Sequence, residues 1–208
     1  MSNFWIKIFA AVDMVIDHIG AVFFPDVYLI RYLGRLSFPL FAWLIGEGEK
    51  HTKNIKQYGA RLLIFGLISQ PAYSILFDTY QLNILFTLML GLLTLRLGKY
   101  FENYKYIVWA IGILLGAIIQ IDFDAYGIVV ILLMANFRPN LTWWMTWVAT
   151  HSIYIILFPY EGLFQLFAIP APIAVQLSNH ERGRRARWFY WFYPAHLCVL
   201  LFVKVLMN

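Results

Sequence analysis

Nine apolar stretches follow one another through this chain of 208 residues, joined by short polar turns. They run over residues 4–24, 28–46, 57–77, 82–97, 104–121, 125–137, 141–158, 162–178 and 188–207. A helix takes about 20 residues to cross about 30 Å of hydrocarbon, and within that layer every backbone N–H and C=O must be paired inside the protein. Serial runs of this kind predict an all-α, polytopic bundle of about nine transmembrane helices, with residues 1–208 forming one domain. Composition points the same way: 62% of the residues are hydrophobic and 13% charged, far from the roughly half-apolar, quarter-charged soluble norm. The first stretch reaches spanning length with no small-residue cleavage site, so it reads as a first span. Pro170 and Pro172 interrupt the eighth stretch, which predicts a kinked or re-entrant segment there.

The turns carry a second pattern. Those after even-numbered stretches are basic: Lys50, Lys53, Lys56 and Arg61; Arg96 to Lys105; Arg138; and Arg182, Arg184, Arg185 and Arg187. Those after odd-numbered stretches are acidic or neutral, with Asp26, Asp78, Asp122 to Asp124 and Glu161. Lys and Arg collect on the cytoplasmic side of short loops, so the amino terminus is expected inside and the carboxyl terminus outside. The formal charge of +5 is accounted for by this topology and calls for no nucleic-acid partner. The single Cys198 excludes an internal disulfide and, within an apolar run, is expected to be a packing residue; no Cys/His spacing suggests a metal site.

Against that background the ionisable residues of the first span stand out. Lys7, Asp13, Asp17 and His18 lie in one apolar helix-length segment. At the centre of a span an Asp or Lys costs about 2.5–3.5 kcal/mol to insert, so retained charges point to a site. Asp13 and Asp17 share a helical face and His18 lies about 100° further round. Histidine titrates nearest neutral pH, which suits it to general-base work with Asp13 or Asp17 orienting it. The alternative is that Asp17 merely satisfies His18 or a neighbouring helix.

In the second span Arg31 sits near the outer interface, with room to snorkel, whereas Arg35 is deeper and is expected to pair with Asp13 or Asp17. Pro39 is expected to kink this span. Glu47 reads either as facing a cytoplasmic opening with Arg61 or as an interfacial charge. Asn83 begins a span and is placed to cap it, and Thr87 reads as an interhelical hydrogen-bonding residue. Asp122, Asp124 and Tyr126 form a polar turn on the outer side. Tyr190, Tyr193, Pro194 and His196 in the last span suggest the wall of a polar cavity, although a lone His such as His196 also serves as hydrogen-bonded structure.

Several ordered segments resemble the TraX family. They are Lys7…Asp13-Met14…Asp17-His18-Ile19-Gly20, then Gly34-Arg35-Leu36-Ser37-Phe38-Pro39-Leu40-Phe41 with Glu47-Gly48. Arg61-Leu62-Leu63-Ile64-Phe65 with Ser69-Gln70, Asn83-Ile84-Leu85-Phe86-Thr87-Leu88, Asp124-Ala125-Tyr126-Gly127 and the closing Phe189 to Leu197 complete the set. The resemblance spans nearly the whole chain; residues 100–120 and 138–180 follow by hydrophobic character alone. It implies acetylation of the amino terminus of a pilin subunit in the inner membrane and kinship with multispan acyltransferases, in which a first-span histidine, here His18, is the expected base.

Carried onto this chain, the resemblance implies an acetyltransferase that takes an acetyl group from cytosolic acetyl-CoA to an acceptor amine or hydroxyl. His18, Asp17, Asp13 and Arg35 form the expected catalytic set. Lys53, Arg61, Arg182, Arg184 and Arg185 would hold the phosphates, with Tyr190, Tyr193 and His196 along the pantetheine path. Glu47, Asn83, Asp122, Asp124 and Tyr126 are the expected cavity residues, and no metal is called for. Its partners would be the lipid bilayer, acyl-CoA, and a peptide, pilin or other small acceptor. Residue chemistry alone leaves two rivals, a proton-coupled transporter using the same residues as a relay and a non-catalytic assembly protein held together by its buried charges.

Overall fold

The structure, a computed structural model, describes residues 1–179, 181, 183–184 and 188–207. It is all-helical: no β-strand occurs among the described residues, and one isolated parallel bridge joins Leu82 to Ile121. Two compact units emerge, Met1–Leu44 with Asn136–Ala186, and Ile45–Ala135 with Arg187–Asn208.

In the first unit, α1 (Asn3–Phe23) packs against α2 (Tyr28–Leu33) and the 3₁₀ turn Gly34–Leu36 that leads into α3 (Ser37–His51). The expected second span is therefore divided. Helical winding tightens at Gly34–Leu36, ahead of Pro39, and Pro39 falls in the first turn of α3, where the backbone N–H groups lack helical partners anyway. Pro39 is thus accommodated near a helix start and does not itself mark the break. Gly34 is required by proximity: a Cβ there would lie 2.6 Å from Asp17 Cα and 2.8 Å from its backbone nitrogen. Asn140 caps α8 (Leu141–Leu157), its Oδ1 accepting from the Trp143 N–H at 2.8 Å. The eighth apolar stretch then breaks into α9 (Pro159–Gln165), a 3₁₀ turn over Leu166–Ala168 and α10 (Ala171–Gln176). The residues that begin the chain are tied to those that follow α10, with Asn179 N–H donating to Met1 O and Asn3 N–H to Glu181 O.

The second unit is built on α4 (Ile55–Phe77), α5 (Ile84–Tyr100), α6 (Lys105–Ile119), α7 (Asp124–Ala135) and α11 (Phe189–Met207). Helix α4 packs on α5 and α11, and α5, α6 and α7 pack on one another. Asn54 caps α4 and Asn83 caps α5. The Asn83 amide also donates to Gly66 O and Gln70 Oε1, both at 2.8 Å, while Gln70 reaches Ser74 and Gln81. This network ties down the α4–α5 turn beside Pro71, which lies inside α4. Lys204 of α11 donates to Leu76 O at 2.9 Å, placing a cation at the C-terminal end of α4.

Among the described residues, three helical segments are long and apolar enough to cross a membrane, fewer than the nine expected from the apolar stretches: Ile55–Phe77, Glu102–Ile119 and Phe189–Met207, with Asp124–Ala135 apolar but shorter. Although α1 has 21 residues, Lys7, Asp13 and Asp17 interrupt its apolar character. Helix α6 shows what this protein presents outward. Its buried residues are Gly112 and Gly116, while Ile107, Ile111, Leu114 and Ile118 are exposed. Small residues toward neighbouring helices and large aliphatic ones outward is the arrangement of a helix in lipid. Cys198 is likewise exposed on α11, so it is not the packing residue that its apolar neighbours suggest; the run is apolar on the outer face as well as the inner one.

Substitution at two glycines separates close approach from helix propensity. Gly34→Ala drives a methyl into the Asp17 backbone and is expected to cost about 1–3 kcal/mol. Gly59→Ala meets nothing within 4 Å and is expected to be neutral or stabilising by up to about 1 kcal/mol. Unfolding midpoints in detergent check both, and an unchanged midpoint for Gly34→Ala would remove the packing argument.

Candidate functional site

The first unit gathers three of the four expected catalytic residues around the crossing of α1 with the start of α3. Asp17 and Arg35 form an ion pair, Oδ1 against Nη2, with side chains only 16% and 9% exposed. The crossing exists because Gly34 lets the two backbones meet at Asp17, which delivers Arg35, the next residue, to the carboxylate. One turn earlier on α1, Asp13 is buried. The backbone of Leu36 and Ser37 approaches its carboxyl group, and its Oδ2 has no hydrogen-bond partner. The pairing of Arg35 with a first-span acid, expected from the sequence, is thus made by Asp17, leaving Asp13 as the carboxylate with a spare oxygen.

His18 follows Asp17 on α1 and is half-buried. Lys7 lies eleven residues before it, also half-buried. Beyond the ion pair, Arg35 Nε donates to Arg31 O at 3.3 Å. Arg31 stacks its guanidinium over Phe164 at 4.4 Å from the ring centroid, and Arg35 lies 5.9 Å from the same centroid. Tyr28, Tyr32 and Phe167 complete this aromatic cluster, Tyr32 stacking on Phe167 at 4.1 Å.

The residues expected to hold a cofactor lie mostly in the second unit. Arg61 sits 5.3 Å from the Tyr190 ring centroid with its Nε buried and unpartnered. Phe65 stacks on Tyr190 at 5.5 Å and meets Trp191 edge-on at 5.1 Å. Tyr58 faces Gly48 closely enough that a Cβ at Gly48 would lie 2.8 Å from its hydroxyl. Lys53 is exposed on the turn before α4. Arg184 is exposed and belongs to the first unit, while Arg182 and Arg185 lie outside the described residues.

Further along α11, the Tyr193 hydroxyl is buried and faces the backbone of Ile84 without forming a hydrogen bond. His196 Nδ1 lies 3.0 Å from Phe192 O, and its ring stacks on Phe192 at 5.1 Å. Among the cavity candidates, Asn83 is fully buried and its side chain is spent on the cap and the Gln70 network. Asp122 gives its carbonyl to Thr87 Oγ1 at 2.7 Å, the helix-tying role expected for that threonine. Asp124 opens α7 in a left-handed conformation, and Tyr126, two residues on, is buried. Glu47 is 7% exposed and pairs with Lys50 at 3.0 Å and His51 at 3.6 Å.

Two features escaped the sequence reading. His151 on α8 is completely buried, its Nδ1 2.8 Å from Trp147 O and its ring 4.4 Å from Trp147. A histidine within an apolar run is itself the signal for such a residue. Glu49, 7% exposed, joins Arg96 at 3.0 Å and Lys99 at 3.8 Å. That ion-pair set links residues far apart in sequence, which no local spacing reveals. Among the described residues no group of His, Cys, Asp and Glu is placed to hold a metal ion.

The TraX family, described as TraX protein, matches residues 2–204. A probable fimbrial assembly protein FimC, serogroup H1, of Dichelobacter nodosus is 28% identical over 237 aligned positions, covering 100% of this chain and 97% of its own length. The uncharacterized protein RP591 of Rickettsia prowazekii (strain Madrid E) is 32% identical over 87 residues, 41% of this chain and 33% of its own. Protein TraX of Escherichia coli is 40% identical over 83 residues, 39% of this chain and 34% of its own. No solved structure matches. With its all-helical architecture, its apolar outward faces and a family match running almost end to end, this membrane protein belongs to the TraX family.

Proposed function

We propose that the protein is an integral-membrane acetyltransferase that moves an acetyl group from cytosolic acetyl-CoA to an acceptor amine or hydroxyl, with His18 as general base. The observation that carries the reading is the charged cluster at the α1 crossing. His18 adjoins an Asp17–Arg35 ion pair and lies one turn from Asp13, whose second oxygen is unpartnered. Maintaining such a cluster in an apolar helix is costly, and it supplies the proton acceptor that acyl transfer needs. The amino terminus of a pilin or fimbrial subunit is the acceptor favoured by the family resemblance and by the fimbrial assembly relative.

Acetyl-CoA would supply a thioester carbonyl already activated toward attack. His18 takes the proton of the acceptor nitrogen or oxygen as that atom bonds to the acyl carbon, and returns it to the departing thiol sulfur. Arg35, anchored by Asp17, places fixed positive charge near the developing oxyanion. Arg61 fits a phosphate because its Nε is unpartnered, and Tyr190 beside it fits a planar base. Lys53, in the same unit and exposed on the turn before α4, is a further cation for the phosphates. Direct transfer is favoured over an acyl-enzyme, because Cys198 is the only thiol in the chain.

The charge alternation of the turns supports a nine-segment arrangement in a cytoplasmic membrane with the amino terminus inside, the broken stretch of α9 and α10 serving as the eighth segment. A non-catalytic assembly role has one observation in its favour, the commitment of Asp17 to Arg35, which is what interhelical glue would look like.

Thiol release from acetyl-CoA by the purified protein in nanodiscs, with an amino-terminal pilin peptide as acceptor, separates the two. His18→Ala is expected to lower turnover by about 10²–10⁴-fold while acetyl-CoA binding persists; full turnover in the variant, or no acetyl-CoA binding by the wild type, overturns the reading. Topology is checked independently in a Cys198→Ser background carrying single cysteines. A membrane-impermeant maleimide added to intact cells should label positions 26, 78 and 161 and spare 53, 102 and 138. The reverse pattern would invert the orientation.

A further inference from the structure

Arg31 and Arg35 lie one helical turn apart, and both guanidinium groups approach the Phe164 ring, at 4.4 and 5.9 Å from its centroid. Asp17 pairs with Arg35. No carboxylate lies within ion-pair distance of Arg31 among the described residues, and its Nε is buried without a hydrogen-bond partner. Its stem packs against α1: a Cβ on Gly20, two residues beyond His18, would lie 3.1 Å from Arg31 Cγ. Phe164 covers one face of the guanidinium and Tyr28 and Tyr32 crowd the same ring. A snorkelling arginine extends its head into water; this one is folded back onto an aromatic ring, in the field of a second arginine.

Two guanidinium groups held together repel unless an anion lies between or beside them, and the nearby carboxylates serve Arg35 first: Asp17 pairs with it and reaches Arg31 only at longer range, and Asp13 lies in the field of Arg35. The planar fork of arginine matches the oxygens of a phosphate or carboxylate, and stacking on an aromatic ring fixes the plane in which the donors point. The geometry points to a binding site for an oxyanion at Arg31, walled by Phe164 and supported by the Asp17–Arg35 pair. The group bound is a phosphate, brought either by a soluble molecule or by an anionic lipid headgroup. The inference stands on the first unit alone and does not depend on acetyl transfer.

The test is the unfolding midpoint of the full chain in an uncharged detergent. It is titrated with inorganic phosphate at constant ionic strength, and separately with phosphatidylglycerol against phosphatidylcholine. A saturable rise with inorganic phosphate identifies a soluble ligand, and a rise confined to phosphatidylglycerol identifies a headgroup; either supports the site. Arg31→Gln is expected to weaken the apparent affinity by about tenfold or more, and Arg31→Lys to fall between, because an ammonium keeps the charge but loses the fork. Asp17→Asn should move it in the opposite direction, since Arg35 is then released to the anion. That gain is something a merely structural arginine cannot produce, and it keeps the proposal open to refutation if Arg31→Gln fails to fold. No saturable rise with either probe, or an undiminished rise in a folded Arg31→Gln variant, overturns the site.

Discussion

The ion pair between Asp17 and Arg35 is the contact on which the first unit depends. Neither charge could be left alone at this depth: removing one partner of a buried pair costs about 3–5 kcal/mol, because the survivor stays buried and unpaired. The pair in turn demands a backbone approach that only glycine permits, and Gly34 stands where α1 and the entry to α3 touch. The tightening to a 3₁₀ turn at Gly34–Leu36 brings Arg35 onto the side facing α1, and the helix before it, α2, carries Arg31, whose guanidinium lies over Phe164. A charge pair, a glycine and a local change of helical pitch are therefore one device, and His18 is held on the helix that this device anchors.

The second unit is organised by a different economy of polar groups. Its polar side chains are drawn inward to close turns and bind backbone: Asn83 and Gln70 between α4 and α5, Thr87 on the Asp122 carbonyl, Lys204 on the end of α4. Small residues occupy the tight contacts. A Cβ on Gly46 would lie 2.6 Å from Ala135 Cα, and one on Gly112 2.6 Å from the Thr94 methyl. Between helices in lipid there is little to gain from burying one apolar chain against another, so close packing and hydrogen bonds carry the association. That leaves the large aliphatic residues free to face outward, as they do on α6.

What could be read in the sequence follows from which interactions are local. Helices over α1, α4, α5, α6, α8 and α11 were legible because their apolar runs are long and their caps, such as Asn83, are encoded in adjacent residues. The break in the second stretch was placed at Pro39, whereas it falls at Gly34–Leu36, because its cause is a contact with Asp17 on another helix. The proline pair at 170 and 172 did signal interruption of the eighth stretch, which resolves into α9, a 3₁₀ turn and α10. Cys198 shows the converse limit: in a membrane protein an apolar neighbourhood does not distinguish a buried position from an outward one. At the site, the chemistry of Asp13, Asp17, His18 and Arg35 was legible, but the choice of Asp17 as the partner of Arg35, and the stacking of Arg31 on Phe164, required the fold.

That choice bears on how the proposed mechanism distributes charge. When His18 accepts a proton it becomes a cation in a segment that already holds Lys7 and approaches Arg31 and Arg35. Of the two first-span carboxylates, Asp17 is committed to Arg35, so its charge is largely neutralised toward any third group. Asp13 differs: it is buried, the backbone of Leu36 and Ser37 approaches its carboxyl group, and its Oδ2 is unpartnered. The two acids, equivalent by spacing on one helical face, thus take distinct parts. In the proposed mechanism Asp17 would fix the arginine whose positive charge serves the acyl oxygen, and Asp13 would keep the acceptor capacity that a proton-carrying cluster requires. The two identical side chains are therefore not interchangeable in role: only position 17 lies opposite Gly34, so removing the carboxylate at 17 strips Arg35 of its partner, whereas removing the one at 13 leaves that pair in place.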